Sequence, residues 1–118
     1  GQPMKAKFEE FNDGTAAIYR ENDEGKLERV FAADFRFGEE NVSIQRHYAA
    51  KVSDEQLDKV IHIQKQKEIA AHDIVVSNGE QFYIEKVDHI KDTLPPITKL
   101  SLIKLEKHKQ KEIANGEQ

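Results

Sequence analysis

Apolar and polar residues alternate with period two along most of this chain, and the 3.6-residue spacing of an amphipathic helix is rare. The alternation is clearest over 27–37. There Leu27, Phe31, Ala33, Phe35 and Phe37 share one parity, and Glu28, Asp34 and Arg36 the other. This spacing predicts a strand with one buried face, Val30 being the exception on its polar side. A shorter strand is expected over 15–21, where Ala17 and Tyr19 alternate with Ile18 and Arg20. Between them, Asn22-Asp23-Glu24-Gly25 is a polar turn with a glycine available for positive φ. Gly38-Glu39-Glu40-Asn41 breaks the pattern. It resumes over 42–50 with few strongly apolar positions, as expected of an edge strand or an excursion from the sheet.

Ser53 is the one clear helix start. It stands three residues before Gln56, the capping-box spacing, with Asp54 and Glu55 suited to the positive end of a helix dipole. Leu57 and Val60 form its whole apolar stripe, which predicts about two turns. Extended chain is expected over 60–64 and an irregular connection over 65–71. The β-branched run 73–77 leads into Asn78-Gly79, the strongest short hairpin signal available. Phe82, Ile84, Val87 and Ile90 make the return strand, and the step from 84 to 87 predicts a bulge. Pro95 and Pro96 stiffen the next loop. The final strand, 97–105, is apolar on both faces, as a central strand would be. Phe8 and Phe11 imply either one helical turn or an extended arm that docks. Residues 107–118 offer only Ile113 and Ala114 to bury and are expected to form a flexible polar tail.

The fold class expected is mainly β: a small antiparallel β-barrel or sandwich of about six strands with one short helix. With 118 residues, the chain is one domain's worth of material. Residues 1–3 have the look of an expression scar, 4–106 of a single β-barrel-like domain with a possible mobile segment at 38–59, and 107–118 of the tail. Val, Ile, Leu and Phe make up 30 of the 118 residues, enough for a modest core. There is no apolar run of the ~18 residues that a membrane-spanning helix needs. The absence of cysteine excludes disulfides, thiolate metal sites and a cysteine nucleophile.

A net charge of −4 argues against generic duplex DNA binding. The charge is uneven: residues 1–58 carry 8 basic and 13 acidic side chains, and residues 59–118 carry 10 basic and 9 acidic. Ends of opposite character suit head-to-tail stacking of subunits, and also arise in any solvated surface. The five histidines, His47, His62, His72, His89 and His108, show no metal-protease spacing. Asp88 and His89 are adjacent in a strand and so face opposite ways. No serine elbow or phosphate loop occurs. The paired carboxylates Glu9-Glu10, Asp23-Glu24, Glu39-Glu40 and Asp54-Glu55 fall in turns or at the helix start, where a solvated surface explains them. No catalytic, cofactor or metal residue is assigned, and no enzyme activity is expected.

Residues 73–105 read DIVVSNGEQFYIEKVDHIKDTLPPITKLSLIKL. Asp73 precedes Ile74-Val75-Val76, then come the tight Asn78-Gly79 turn, Tyr83-Ile84-Glu85-Lys86-Val87, a loop through Pro95-Pro96, and Leu100-Ser101-Leu102. This order resembles the C-terminal half of siphophage and prophage head–tail joining proteins, the head-completion, head-closure or "stopper" group. The resemblance implies a β-barrel-like structural protein that joins the DNA-filled head to the tail, closes the connector channel and offers a tail-docking surface. It implies a monomer that becomes a homo-oligomeric ring in the virion neck after assembly in the bacterial host cytoplasm. Its partners would be connector or adaptor proteins and tail proteins, with transient contact to packaged DNA, no membrane and no cofactor. Asn41, Gln45, Arg46, His47, Tyr48 and Lys51, in the segment corresponding to the family's channel loop, are the expected subunit-interface or channel-loop residues. A tail-completion or tail-terminator protein of similar fold is the nearest alternative. A nucleic-acid-binding small barrel is another, with Tyr48, Phe82 and Tyr83 as its aromatic candidates.

Overall fold

The computed structural model of the chain describes residues 7–40 and 57–114. In these residues the chain forms strands β1 (Lys7–Phe8), β2 (Gly14–Glu21), β3 (Leu27–Arg29), β4 (Phe35–Glu39), β5 (Lys59–Gln64), β6 (Ile74–Ser77), β7 (Glu80–Ile90), β8 (Thr93–Leu94) and β9 (Ile97–Lys104), followed by a 3₁₀ turn, Lys107–Lys109. Six strands close into an antiparallel barrel. β2 pairs with β4, β4 with β5, β5 with β9, β9 with β7, β7 with β6, and β6 returns to β2. Closure leaves none of these six as an open sheet edge along its paired length. β3 is an extra strand on the far end of β2, and β1 and β8 form a separate parallel ribbon.

Local chemistry explains the best-defined turn. Asn78 and Gly79 have φ of +53° and +75°, the left-handed backbone that a two-residue hairpin requires. The bulge expected in the return strand is present, as a register shift between Ile84 and Lys86 against β9. Without that extra residue, Val87 would face outward, whereas it packs against the same buried cluster as Phe82 and Ile84.

Period two puts Ala16, Ile18, Phe37, Ile61, Ile63, Val75, Phe82, Ile84, Leu100 and Leu102 into one interior cluster. Ile69, from the irregular connection between β5 and β6, joins them. A second cluster lies on the outside of β2 and β6: Ala17, Tyr19, Leu27 and Ile74, with Tyr83, Leu105 and Ile113 packed against it. β2 is therefore buried on both faces, which is why its middle lacks a polar side.

Three expectations change. First, 27–37 is interrupted. Tyr19 pairs with Arg29 and Ala16 with Phe35, so three steps along β2 correspond to six along its partner. The odd number of extra residues reverses the facing of side chains: Leu27 enters the outer cluster and Phe37 the interior. Arg29 holds the detour by hydrogen bonds to the Phe31 and Ala32 carbonyls at 3.4 and 3.2 Å and an ion pair with Asp34 at 3.0 Å. Second, no α-helix occurs among the described residues. The proposed cap at 53–56 lies outside them, while Leu57 and Asp58 are non-helical and Lys59 begins β5. The Asp58 amide donates to Leu102 O at 3.0 Å and its carboxylate accepts from the Lys104 amide at 2.8 Å, so pairing with β9 overrides local helix preference.

Third, residues 107–114 are laid along the barrel rather than extended as a tail. The Leu27 amide donates to Glu112 O at 2.8 Å, and the Ala114 amide donates to Leu27 O at 2.7 Å. The Gln81 side chain exchanges two hydrogen bonds with the Lys111 backbone, at 2.7 and 2.8 Å. A polar segment whose apolar residues are Ile113 and Ala114 docks because it satisfies the exposed edge of β3. At the other terminus, Phe8 and Phe11 belong to an extended arm, not a helical turn.

Candidate functional site

β5 carries Ile61 and Ile63 into the barrel, so His62 between them points outward. Even so, His62 is only 6% exposed. The arm ahead of β2 crosses the outer face of the barrel at this point and covers it. Its barrel neighbours in register are Gly38 on β4 and Lys99 on β9. Gly38 makes the crossing possible: a Cβ there would lie 2.4 Å from Glu10 O and 2.5 Å from His62 Nε2. Phe11 closes the site with its ring edge-on to the imidazole, the centroids 5.4 Å apart.

The two imidazole nitrogens face two different acceptors. His62 Nε2 donates to the backbone carbonyl of Glu10 at 2.7 Å, with Glu9 Oε1 3.3 Å away. His62 Nδ1 is hydrogen-bonded to Glu40 Oε2. A backbone carbonyl can only accept, so the nitrogen facing Glu10 is the one that carries hydrogen. Glu40 also pairs with Lys99 Nζ at 3.3 Å, so two carboxylates, Glu9 and Glu40, face the imidazole and the Lys99 ammonium in a covered site. Burial pushes the Glu40 carboxyl upward. The hydrogen bond from His62 and the charges of Lys99 and His62 outweigh it and hold the group below its ordinary value.

Glu9, Glu40 and His62 each offer a ligand atom within 4.8 Å of the others, the spacing of a possible cation site. The directions do not suit one. The two carboxylates approach opposite edges of the ring, Glu9 at Nε2 and Glu40 at Nδ1, so an ion on one nitrogen's lone pair turns away from the other carboxylate. The geometry suits a shared proton and a clamp.

A second buried charge anchors the connection before β6. Asp73 takes a bidentate grip from Arg20, at 2.8 Å to Nε and 2.9 Å to Nη2, and accepts from the Ala70 amide at 3.0 Å. Arg20 also donates to Glu68 O at 3.0 Å, and the Asp73 contact raises its pKa further. This pair ties β2 to the irregular segment that delivers Ile69 to the core. The aspartate quoted in the 73–105 motif thus has a structural task.

Asn41, Gln45, Arg46, His47, Tyr48 and Lys51 lie outside the described residues. The structure places the ends of their segment: β4 finishes at Glu39 and β5 begins at Lys59, with Glu39 paired to Ile61. Residues 40–58 thus leave and re-enter at one end of the barrel, the same end as the Asn78-Gly79 turn. Asp88 and His89 diverge, as alternation requires: Asp88 pairs with Lys86 at 3.6 Å and His89 Nδ1 bonds Thr98 Oγ1 at 3.0 Å. His72, at φ +80°, contacts the Tyr83 hydroxyl.

The His62 cluster is absent from the sequence reading because Glu9 and Glu40 look like surface carboxylates in turns. One signal was present: a histidine between two isoleucines in a strand whose neighbour contributes a glycine. Compared with protein-family models, with curated proteins and with solved structures, the chain matches none.

Proposed function

We propose that this chain is a structural protein of a phage or prophage neck, joining the DNA-filled head to the tail and closing the connector channel. One observation carries the reading. The run that resembles head-completion proteins, residues 73–105, forms an unbroken half of a closed barrel through β6, β7 and β9, and the 40–58 connection leaves one end of that barrel. Two antiparallel neighbours such as β4 and β5 need only a two-residue turn to join them. A much longer connection at that place is what a subunit would use to reach a neighbour or a channel. In this reading Asn41, Gln45, Arg46, His47, Tyr48 and Lys51 supply contacts between subunits or to the channel, and the barrel is the rigid body that positions them. Assembly is then the whole function: a monomer joins a homo-oligomeric ring, contacts connector and tail proteins, and touches DNA without gripping it, consistent with a net charge of −4.

Deletion of the gene from the phage or prophage that encodes it tests this. The expected result is heads that package DNA and then lose it, beside complete free tails, with joining restored by the purified chain. Normal virions without the chain would overturn the proposal. Heads that keep their DNA beside defective tails would replace it with a tail-completion role.

A further inference from the structure

We propose that residues 111–114, which lie on the edge of the chain's own β3, are a transferable strand: where copies of the chain are crowded together, this strand occupies the β3 seat of a second copy. The inference stands apart from the neck reading, because seat and strand both belong to this chain.

The seat is built to take an extended backbone. Leu27 uses both of its peptide groups there: its amide donates to Glu112 O at 2.8 Å, and its carbonyl accepts from the Ala114 amide at 2.7 Å. Gln81, only 8% exposed, supplies the rest. Its side-chain amide donates to Lys111 O at 2.7 Å and accepts from the Lys111 amide at 2.8 Å, as the backbone of a neighbouring strand would. Ile113 pairs in parallel with Leu27 and packs on the outer cluster of Ala17, Tyr19, Leu27 and Ile74. Four hydrogen bonds to backbone and one apolar side chain thus define the occupant, and every copy of the chain carries it.

A hinge joins this strand to the barrel. Residues 106–110 are all exposed, and none is apolar, so swinging them outward uncovers no apolar surface of their own. Their backbone bonds are local: the Lys109 amide donates to Glu106 O at 2.8 Å, and the Gln110 amide to Lys107 O at 3.3 Å. Extended, five residues reach about 17 Å, enough to cross to an adjoining subunit.

Charge favours transfer between copies. Residues 21–28, around the turn into β3, carry four acidic side chains and one basic, whereas residues 107–111 carry three lysines and no acid. Lys111 pairs with Glu21 at 3.5 Å. The basic segment of one copy is drawn to the acidic turn of another, while like ends repel, which directs the contact head to tail. Seating within one chain and seating between two make the same bonds, so concentration sets the balance. A short tether holds the strand at an effective concentration on the order of millimolar. The dilute chain therefore closes on itself, and exchange takes over where copies are packed side by side.

The test uses the full chain, which has no cysteine of its own. Unlabelled chain bearing a nitroxide on Glu112→Cys is mixed with ¹⁵N-labelled wild-type chain at about 1 mM, near the effective concentration of the tether. The Leu27 and Gln81 amide signals of the ¹⁵N chain should lose about a third of their intensity or more, and regain it when the nitroxide is reduced or the mixture is diluted about tenfold. The Ile63 amide, on β5 across the barrel, should be unaffected. Adding Ile113→Asp to the nitroxide chain should abolish the loss, with the wild-type ¹⁵N chain still reporting from an intact seat. No loss at Leu27 and Gln81 would overturn the exchange. So would an equal loss at Ile63, which marks random encounter, or a loss that survives Ile113→Asp, which marks contact elsewhere than the seat.

Discussion

Gly38 and Asp73 show how much of this structure turns on single atoms. A methyl group at Gly38 would meet both the Glu10 carbonyl and the His62 ring, and neither can yield without breaking their hydrogen bond. Gly38→Ala is expected to cost about 1–3 kcal/mol. The loss should be confined to the arm: Glu9 amide protection collapses while the barrel's cooperative unfolding shifts much less. Asp73 is buried, whereas Arg20 is half-exposed and can turn to water when its partner is removed. Asp73→Ala is expected to cost about 2–3 kcal/mol, chiefly because the Ala70 amide and the guanidinium lose charged acceptors. Denaturant unfolding midpoints at constant slope would measure both. Sequence alone hides the His62 site for a physical reason. The surroundings of a buried histidine are decided by which groups arrive from distant segments, and Glu9 and Glu40 reach it from an arm and a strand end that carry ordinary turn chemistry.

Elements whose signal is local are legible in the sequence, and those decided by a neighbour are not. The Asn78-Gly79 hairpin, the bulge after Ile84 and the strand leading into Lys104 follow from turn chemistry and alternation in their own residues. The broken strand at 27–37 does not. Its alternation is continuous in sequence, and the three-residue detour exists because both sides of the barrel wall needed covering, Leu27 outside and Phe37 inside. The C-terminal segment shows the same effect more strongly. Nothing in its composition marks it for docking, yet the edge of β3 offers Leu27's backbone groups, and residues 112–114 take them. Removal of residues 107–118 should therefore destabilise the barrel by about 2 kcal/mol, from uncovered apolar area on Leu27 and unpaired backbone groups. A thermal or denaturant melt of the shortened chain would show this. An unchanged melt would mean that the segment contributes no stability.

At the scale of the whole molecule, the sequence class expected, a small antiparallel barrel of about six strands, is the architecture found, without an α-helix among the described residues. Among the described residues the barrel is closed, with the arm laid across one face and residues 107–114 along another. Such a body is suited to holding a long connection at a fixed place, which is the demand a ring subunit meets. The function proposed rests on that match between a rigid frame and a connection between β4 and β5 far longer than a hairpin requires. The most direct measurement is co-sedimentation of the labelled chain with DNA-filled, tail-less heads that lack it. The account predicts uptake by these heads to a fixed number of copies per particle, followed by resistance of the packaged DNA to nuclease. Uptake by purified tails or free nucleic acid, with none by the heads, would contradict it.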